Sequence, residues 1–242
     1  MRRVLVFLLL TICGQGAVSA QTESFDQKFD AFLNSFVSGG HVDYARIKHH
    51  PEGLNALVDS IETIDFERLE PDNEEAFLIN AYNALVIAAV VQHYPLHSPL
   101  DVEGFFRAEK HVVGGKSMTL DQLEKEVILK KFPDPRLHFA LVCAARGCPR
   151  LRDDPYRGKV LNQDLEDHVS IAMMSPSLVH VDAETGTVYL SQLFEWYKTD
   201  FTQGGQSLID FVNHYRATSV PSDYRVAYIP YDWALNDKNT DE

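Results

Sequence analysis

The stretch Arg136-Leu137-His138-Phe139-Ala140-Leu141-Val142-Cys143-Ala144-Ala145-Arg146-Gly147-Cys148-Pro149 reads as an apolar strand that carries one histidine and then breaks into a small-residue loop holding two cysteines. Side chains alternate along a strand, so His138, Ala140 and Val142 face one way and Leu137, Phe139, Leu141 and Cys143 the other, which keeps His138 and Cys143 apart. At Ala144-Ala145-Arg146-Gly147 small residues and a glycine let the chain turn back, so Cys148 can come round to the face that His138 occupies. Cys148 is therefore the candidate nucleophile.

Export follows from the other end of the chain. Met1-Arg2-Arg3 and the apolar run Val4 to Ile12, too short to span a bilayer, precede Ala17-Val18-Ser19-Ala20, the pattern of a secretory signal cleaved after Ala20. Cys13 follows Ile12 rather than small residues, which places lipidation below simple cleavage. The expected product is a periplasmic or secreted protein with no stable membrane span once the signal is removed. Losing Arg2 and Arg3 leaves 20 basic residues against 35 acidic ones, a net charge of −15 with histidines neutral. Such a surface repels nucleic acid and anionic lipid. Of 3 cysteines only Cys143 and Cys148 remain, in an oxidising compartment. A disulfide between them is the competing reading, and closing so short a loop stabilises by only about 2 kcal/mol in the chain-entropy model.

Outward from the cysteine loop, a chain of 242 residues that is 45% apolar, with 14 Phe and 10 Tyr, can bury one sizeable core. A single globular domain is expected over residues 21–235, followed by a disordered acidic tail at 236–242. Residues 24–38 and 51–70 carry helical apolar stripes. The run from Asn73 to about His93 is apolar nearly all round, the mark of a helix buried in the core, and Asn80 and Asn83 share one face of it. Buried amides need partners. Either these two tie down loop carbonyls, or one of them orients a catalytic imidazole or donates to an oxyanion. Lys110 to Met118 reads as a hairpin around Gly114-Gly115, and Thr119 with Gln122 as a capping box. In the helix that follows, Glu124 lies on the buried stripe with Leu120 and Ile128, where a carboxylate needs a cation or several donors. Arg136 and His138 are the candidates, one giving an ion pair, the other fixing the imidazole tautomer and raising its basicity.

Further on, residues 160–173 form a helix, 178–191 a hairpin, 192–201 a short aromatic helix, 208–215 another helix, and 225–235 a strand. The fold class is α+β: helices around a small, mainly antiparallel sheet that holds the His138 strand, the 178–191 hairpin and the C-terminal strand, packed about the Asn80–Asn83 helix. Cys148, His138 and one of Glu124, Asn80 and Asn83 supply the thiol, imidazole and orienting group of a thiol hydrolase. His138 with Cys143 and Cys148 gives too few ligands for a structural zinc, at a spacing that matches no common zinc pattern, and no cofactor motif is present, so neither metal nor cofactor is expected.

Ile79-Asn80-Ala81-Tyr82-Asn83-Ala84-Leu85, Val113-Gly114-Gly115-Lys116 with Leu120 and Glu124, Asp134-Pro135-Arg136-Leu137-His138-Phe139-Ala140-Leu141-Val142-Cys143, Cys148-Pro149, and Leu190-Ser191 with Phe194-Glu195-Trp196-Tyr197 together resemble the family of domain of unknown function 547, over about Asp43 to Tyr215. The family occurs in bacteria, archaea and plants and has no established general activity. The resemblance implies a relationship to papain-like and transglutaminase-like cysteine enzymes. Lys125 departs from the pattern, since many bacterial relatives have histidine after the glutamate, which leaves His138 to serve alone; plant relatives commonly lack a cysteine matching Cys148. The resulting expectation is an exported cysteine-dependent hydrolase or acyltransferase acting on an amide or peptide bond, taking a small-molecule or peptide ligand. The alternative is a non-catalytic exported binding module with a Cys143–Cys148 disulfide.

Overall fold

The computed structural model describes residues 18, 20–22 and 24–241. The expected signal, 1–20, lies outside them save for residues 18 and 20. The architecture is mixed α and β, with helices dominating and sheets of two or three strands, as the α+β class requires.

Two apolar clusters organise the chain. The first is built around the helix Pro71–His93, whose residues from Ala76 to Ile87 are buried on every side. That all-round burial explains why its sequence shows no stripe. It is the one helix among the described residues long and apolar enough to cross a membrane, and most of it is buried inside the protein. Tyr44–His49 and Glu52–Thr63 pack on it, and Phe25 of the helix at 24–36 meets Phe77 with ring centroids 5.2 Å apart.

The second cluster belongs to the sheet. Val179–Asp182 pairs antiparallel with Thr187–Ser191 in the register Val179↔Leu190, and Thr187–Ser191 pairs in parallel with Arg225–Ile229. The sheet is thus mixed, and it packs against Phe194, Phe201 and Phe211 rather than around the Asn80–Asn83 helix. No strand carries His138. Leu137–Ala140 is a short helix, and it stands on the seam: Leu137 and Ala140 pack in the first cluster and Phe139 in the second, 5.8 Å from Phe194 and 5.7 Å from Phe201 by ring centroid.

Three further expectations change. The aromatic segment is two short helices, Gln192–Trp196 and Lys198–Phe201, broken at Tyr197 (φ −109°, ψ 26°). The last strand ends at Ile229, before Pro230, which cannot donate to a ladder. The segment 236–242, expected to be disordered, begins in the core: Asn236 and Asp237 are buried, Tyr44 Oη donates to Asn236 Oδ1 at 2.7 Å, Tyr94 Oη to Asp237 Oδ2 at 2.8 Å, and Asn236 N–H to Ala144 O at 2.9 Å. A short helical turn, Lys238–Asp241, follows.

Candidate functional site

The His138 helix starts at an aspartate and a proline. Asp134 Oδ1 accepts from Arg136 N–H at 2.8 Å, Pro135 presets φ for a first turn, and the N–H groups of Leu137 and His138 bond back to Asp134 O and Pro135 O at 3.1 and 3.3 Å. Four residues of helix suffice to turn the imidazole into the seam, where it is buried. Its Nε2 lies 2.8 Å from Asp200 Oδ2, its ring stacks on Tyr197 at 3.9 Å, and Phe201 meets it edge-on at 5.3 Å. Facing a carboxylate, Nε2 carries the proton in the neutral ring, which leaves the Nδ1 lone pair to accept another.

After Ala140 the chain is extended, and Asn83 clamps it. Its Nδ2 donates to Ala140 O at 2.9 Å and its Oδ1 accepts from Val142 N–H at 3.0 Å. Asn80 makes the same two-point clamp on Tyr156, at 2.8 and 3.0 Å. Both amides tie down backbone, and neither lines the cleft described below. Ala144 then adopts φ +60°, a left-handed conformation uncommon for a residue with a Cβ, and reverses the direction of the chain. Gly147 completes the loop, because a Cβ there would stand 2.8 Å from Asp232 N. The turn closes with Cys148 N–H donating to Ala145 O at 3.1 Å.

Cys148 and His138 line the same cleft, and the loop carries the Cys148 sulfur to Cys143. The two cysteines are joined as a disulfide, with Cα atoms 6.4 Å apart. Tyr231 Oη is 3.0 Å from Cys148 Sγ and 3.1 Å from Cys143 Sγ, and Cys143 N–H donates to Cys148 Sγ at 3.0 Å. The separation of His138 from Cys143 expected from strand alternation fails with the strand itself, since both line one cleft.

Glu124 takes neither expected partner. Arg136 binds Asp134 at 2.6 Å and Glu166 at 2.8 Å, and His138 binds Asp200. The Glu124 carboxylate instead accepts from two tyrosines, Tyr197 at 2.9 Å on Oε1 and Tyr82 at 3.1 Å on Oε2. The Thr119–Gln122 capping box is present as expected, with bonds of 3.0 and 3.2 Å. The helix it starts then widens: Leu123–Ile128 winds as a π-helix, so Glu124 projects from a wide turn rather than from a regular α-helix.

These groups surround a cleft of about 500 Å³ at the seam of the two clusters. Glu124, His138, Cys143 and Cys148 line it with Tyr82, Tyr197 and Tyr231, while Leu100, Trp196 and Trp233 supply apolar wall. Trp196 packs on Tyr231 at 4.8 Å and on Trp233 at 6.1 Å.

The electrostatics suit proton transfer. Burial holds His138 below the ordinary histidine range, with Asp200 opposing it, so the imidazole is neutral near pH 7 and able to act as a base. Burial raises Glu124, and the hydrogen bonds from Tyr197 and Tyr82 oppose that rise. Tyr231 is pushed up by burial and then by the charge of Glu124, and Tyr197 and Tyr82 are raised too, so all three hydroxyls stay protonated donors. Among the described residues no three His, Cys, Asp or Glu side chains converge as a metal site.

Sequence reasoning brought Cys148, His138 and Glu124 to one place and missed Asp200, Tyr197, Tyr82 and Tyr231. Asp200 and Tyr197 sit in an aromatic segment read as core, and no periodicity marks two polar groups of such a run as facing an imidazole. A search of curated proteins and a search of solved structures each returned no match. The motifs at Leu190-Ser191 and Phe194 to Tyr197 lie beyond the segment that a family model recognises, which is narrower than Asp43 to Tyr215. Residues 66–170, which hold Asn80, Asn83, Glu124, His138, Cys143 and Cys148, match the model of the family described as protein of unknown function, DUF547, and this match supports assigning that segment to the family.

Proposed function

We propose that the protein is an exported cysteine-dependent hydrolase or acyltransferase acting on an amide or peptide bond, with the seam cleft as its active site and the disulfide as its oxidised resting form. The observation that carries this reading is that Cys148, His138 and Glu124 line one cleft, with His138 paired to Asp200. An external dithiol attacks Cys143 Sγ, breaks the S–S bond and is itself oxidised to a disulfide, leaving two thiols. His138 takes the Cys148 proton, and the thiolate attacks the carbonyl of a small-molecule or peptide substrate. As the C–N bond breaks, the imidazolium returns its proton to the departing amine. Water or a second amine then cleaves the thioester, giving hydrolysis or acyl transfer. Asp200 orients the imidazole, the role that the sequence suggests for Glu124, Asn80 or Asn83. Tyr231 Oη and Cys143 N–H, which already face Cys148 Sγ, stabilise the thiolate.

The second reading, an exported binding module without catalysis, is favoured by the joined sulfurs themselves. Alkylation by iodoacetamide separates the two. In reduced Cys143→Ser protein, Cys148 should react well below the pH at which an ordinary thiol with pKa about 8.5 ionises, and His138→Gln should abolish that advantage. A Cys148 that titrates as an ordinary thiol and ignores His138 would leave only the binding module.

A further inference from the structure

The Glu124 carboxylate faces the cleft without a cation of its own. Its two oxygens accept from Tyr197 and Tyr82, and among the described residues no ion pair reaches it. The cations around the cleft are committed elsewhere: Lys125 Nζ lies 2.9 Å from Asp121, and Arg107 Nε 3.4 Å from the same carboxylate. A carboxylate accepts about four hydrogen bonds, so two tyrosine donors leave half its capacity unused. The charge of Lys125 acts on Glu124 through space without an ion pair, and burial outweighs it and the tyrosine hydrogen bonds, raising Glu124 towards its neutral form.

The wall beside this carboxylate is aromatic. Tyr82 and Tyr197 flank Glu124 itself, and Tyr231, Trp196 and Trp233 continue the lining. Rings present a negative face that attracts a cation, most strongly when the cation is partly desolvated. A cleft that sets aromatic rings beside one carboxylate with no ion-pair partner favours a group carrying positive charge and several N–H donors.

We propose that the cleft takes ligands bearing a primary ammonium group on an aliphatic chain, the ammonium seated against Glu124 and the chain against the aromatic wall. This rests on the reading of the cleft as the functional site and deepens it, since an amine held there is placed as the acceptor in acyl transfer. It does not require the thiol chemistry. A primary ammonium fills the free acceptor positions of the carboxylate and neutralises it, whereas an alcohol of the same shape brings no charge and a carboxylate meets a like one.

The chain contains 2 tryptophans, and both line this cleft, so intrinsic fluorescence reports on it directly. The oxidised mature protein is titrated with n-butylammonium chloride, 1-butanol and sodium butyrate at constant ionic strength. Saturable change with butylammonium, and affinity at least about tenfold weaker for the alcohol and the carboxylate, is the expected result. Glu124→Gln should weaken butylammonium by about tenfold while leaving butanol unchanged. Because that variant touches a buried group, Trp196→Ala, at a residue 47% exposed, serves as the second test and should weaken butylammonium about threefold with Trp233 as reporter. Equal response to butylammonium and butanol, or butylammonium binding unaffected by either substitution, overturns the proposal. Because the titration uses oxidised protein with no thiol step, its failure is distinguishable from failure of the cysteine mechanism, which is read by alkylation of reduced protein without amine.

Discussion

His138 Nε2 and Asp200 Oδ2 meet at 2.8 Å, although 62 residues separate them along the chain. The contact fixes which ring nitrogen holds the proton and offsets part of the burial that keeps the imidazole neutral. Replacing Asp200 with Asn removes the charge and keeps the shape. In the reduced protein, iodoacetamide alkylation of Cys148 at pH 7 should slow by about tenfold, with the pH profile moving towards that of an ordinary thiol. An unchanged profile would mean that His138 does not act on the sulfur.

The disulfide closes a very short loop, so it contributes little to stability for a covalent link. In protein lacking residues 1–20, and so Cys13, reduction by dithiothreitol should lower the free energy of unfolding by no more than about 2 kcal/mol and leave the fold intact, with iodoacetamide labelling rising from no sites to two. Urea unfolding with and without reductant, followed by intact mass, measures both. Collapse of the fold on reduction would give the pair a structural role and count against a redox-gated site.

Asn83 holds two backbone groups that no water reaches. Asn83→Ala would leave Ala140 O and Val142 N–H unpaired and should destabilise the protein by about 3 kcal/mol in urea unfolding. It should also loosen the segment leading to Cys143, so alkylation of the reduced protein becomes less dependent on His138. A loss under about 1 kcal/mol would show that the clamp is dispensable.

His168 links stability to pH. It is buried, its Nε2 donates to Phe139 O at 3.1 Å, and burial, with help from the charge on Arg152, lowers it to about 4. The unfolded chain binds this proton below about pH 6.5 while the folded chain refuses it until about pH 4, so stability is full above the upper value and falls as the pH drops through the window. Between pH 7 and pH 5 this one group should remove about 2 kcal/mol. His168→Gln, compared by urea unfolding at the two pH values, should flatten that slope even if it starts from a lower stability.

Much of the frame could be read from residues alone. The buried helix around Asn80 and Asn83, the Thr119–Gln122 cap, the hairpin at 178–191 and the helix Leu208–Tyr215 all announce themselves through periodicity or turn chemistry. The segment at His138 reads as a strand, although the sequence also carries the signal of the helix it forms. Asp134-Pro135 is a helix start, but the apolar run after it is only long enough for one turn, and its length and composition suit a buried strand equally well. The bonding of Glu124 to Tyr82 and Tyr197 lies beyond sequence patterns, because it depends on how separate elements meet at the seam. Asn236 and Asp237 show the opposite failure. Their polarity suggested solvent, yet each is buried because Tyr44 and Tyr94 reach it with hydroxyl donors.

The widened turn at Leu123–Ile128 has a consequence for engineering. Such a turn holds one residue more than an α-helix needs, so excising Lys125 could restore ordinary winding, and each residue of an α-helix rotates the face by about 100°. The cap at Thr119 would stay put while everything on one side of the excision swung round. Glu124 lies on the cap's side of Lys125 and would keep its place, while Val127 and Ile128, which pack in the core beyond the excision, would swing by about 100°, so a one-codon deletion would part the acid of the cleft from the apolar face that anchors its helix.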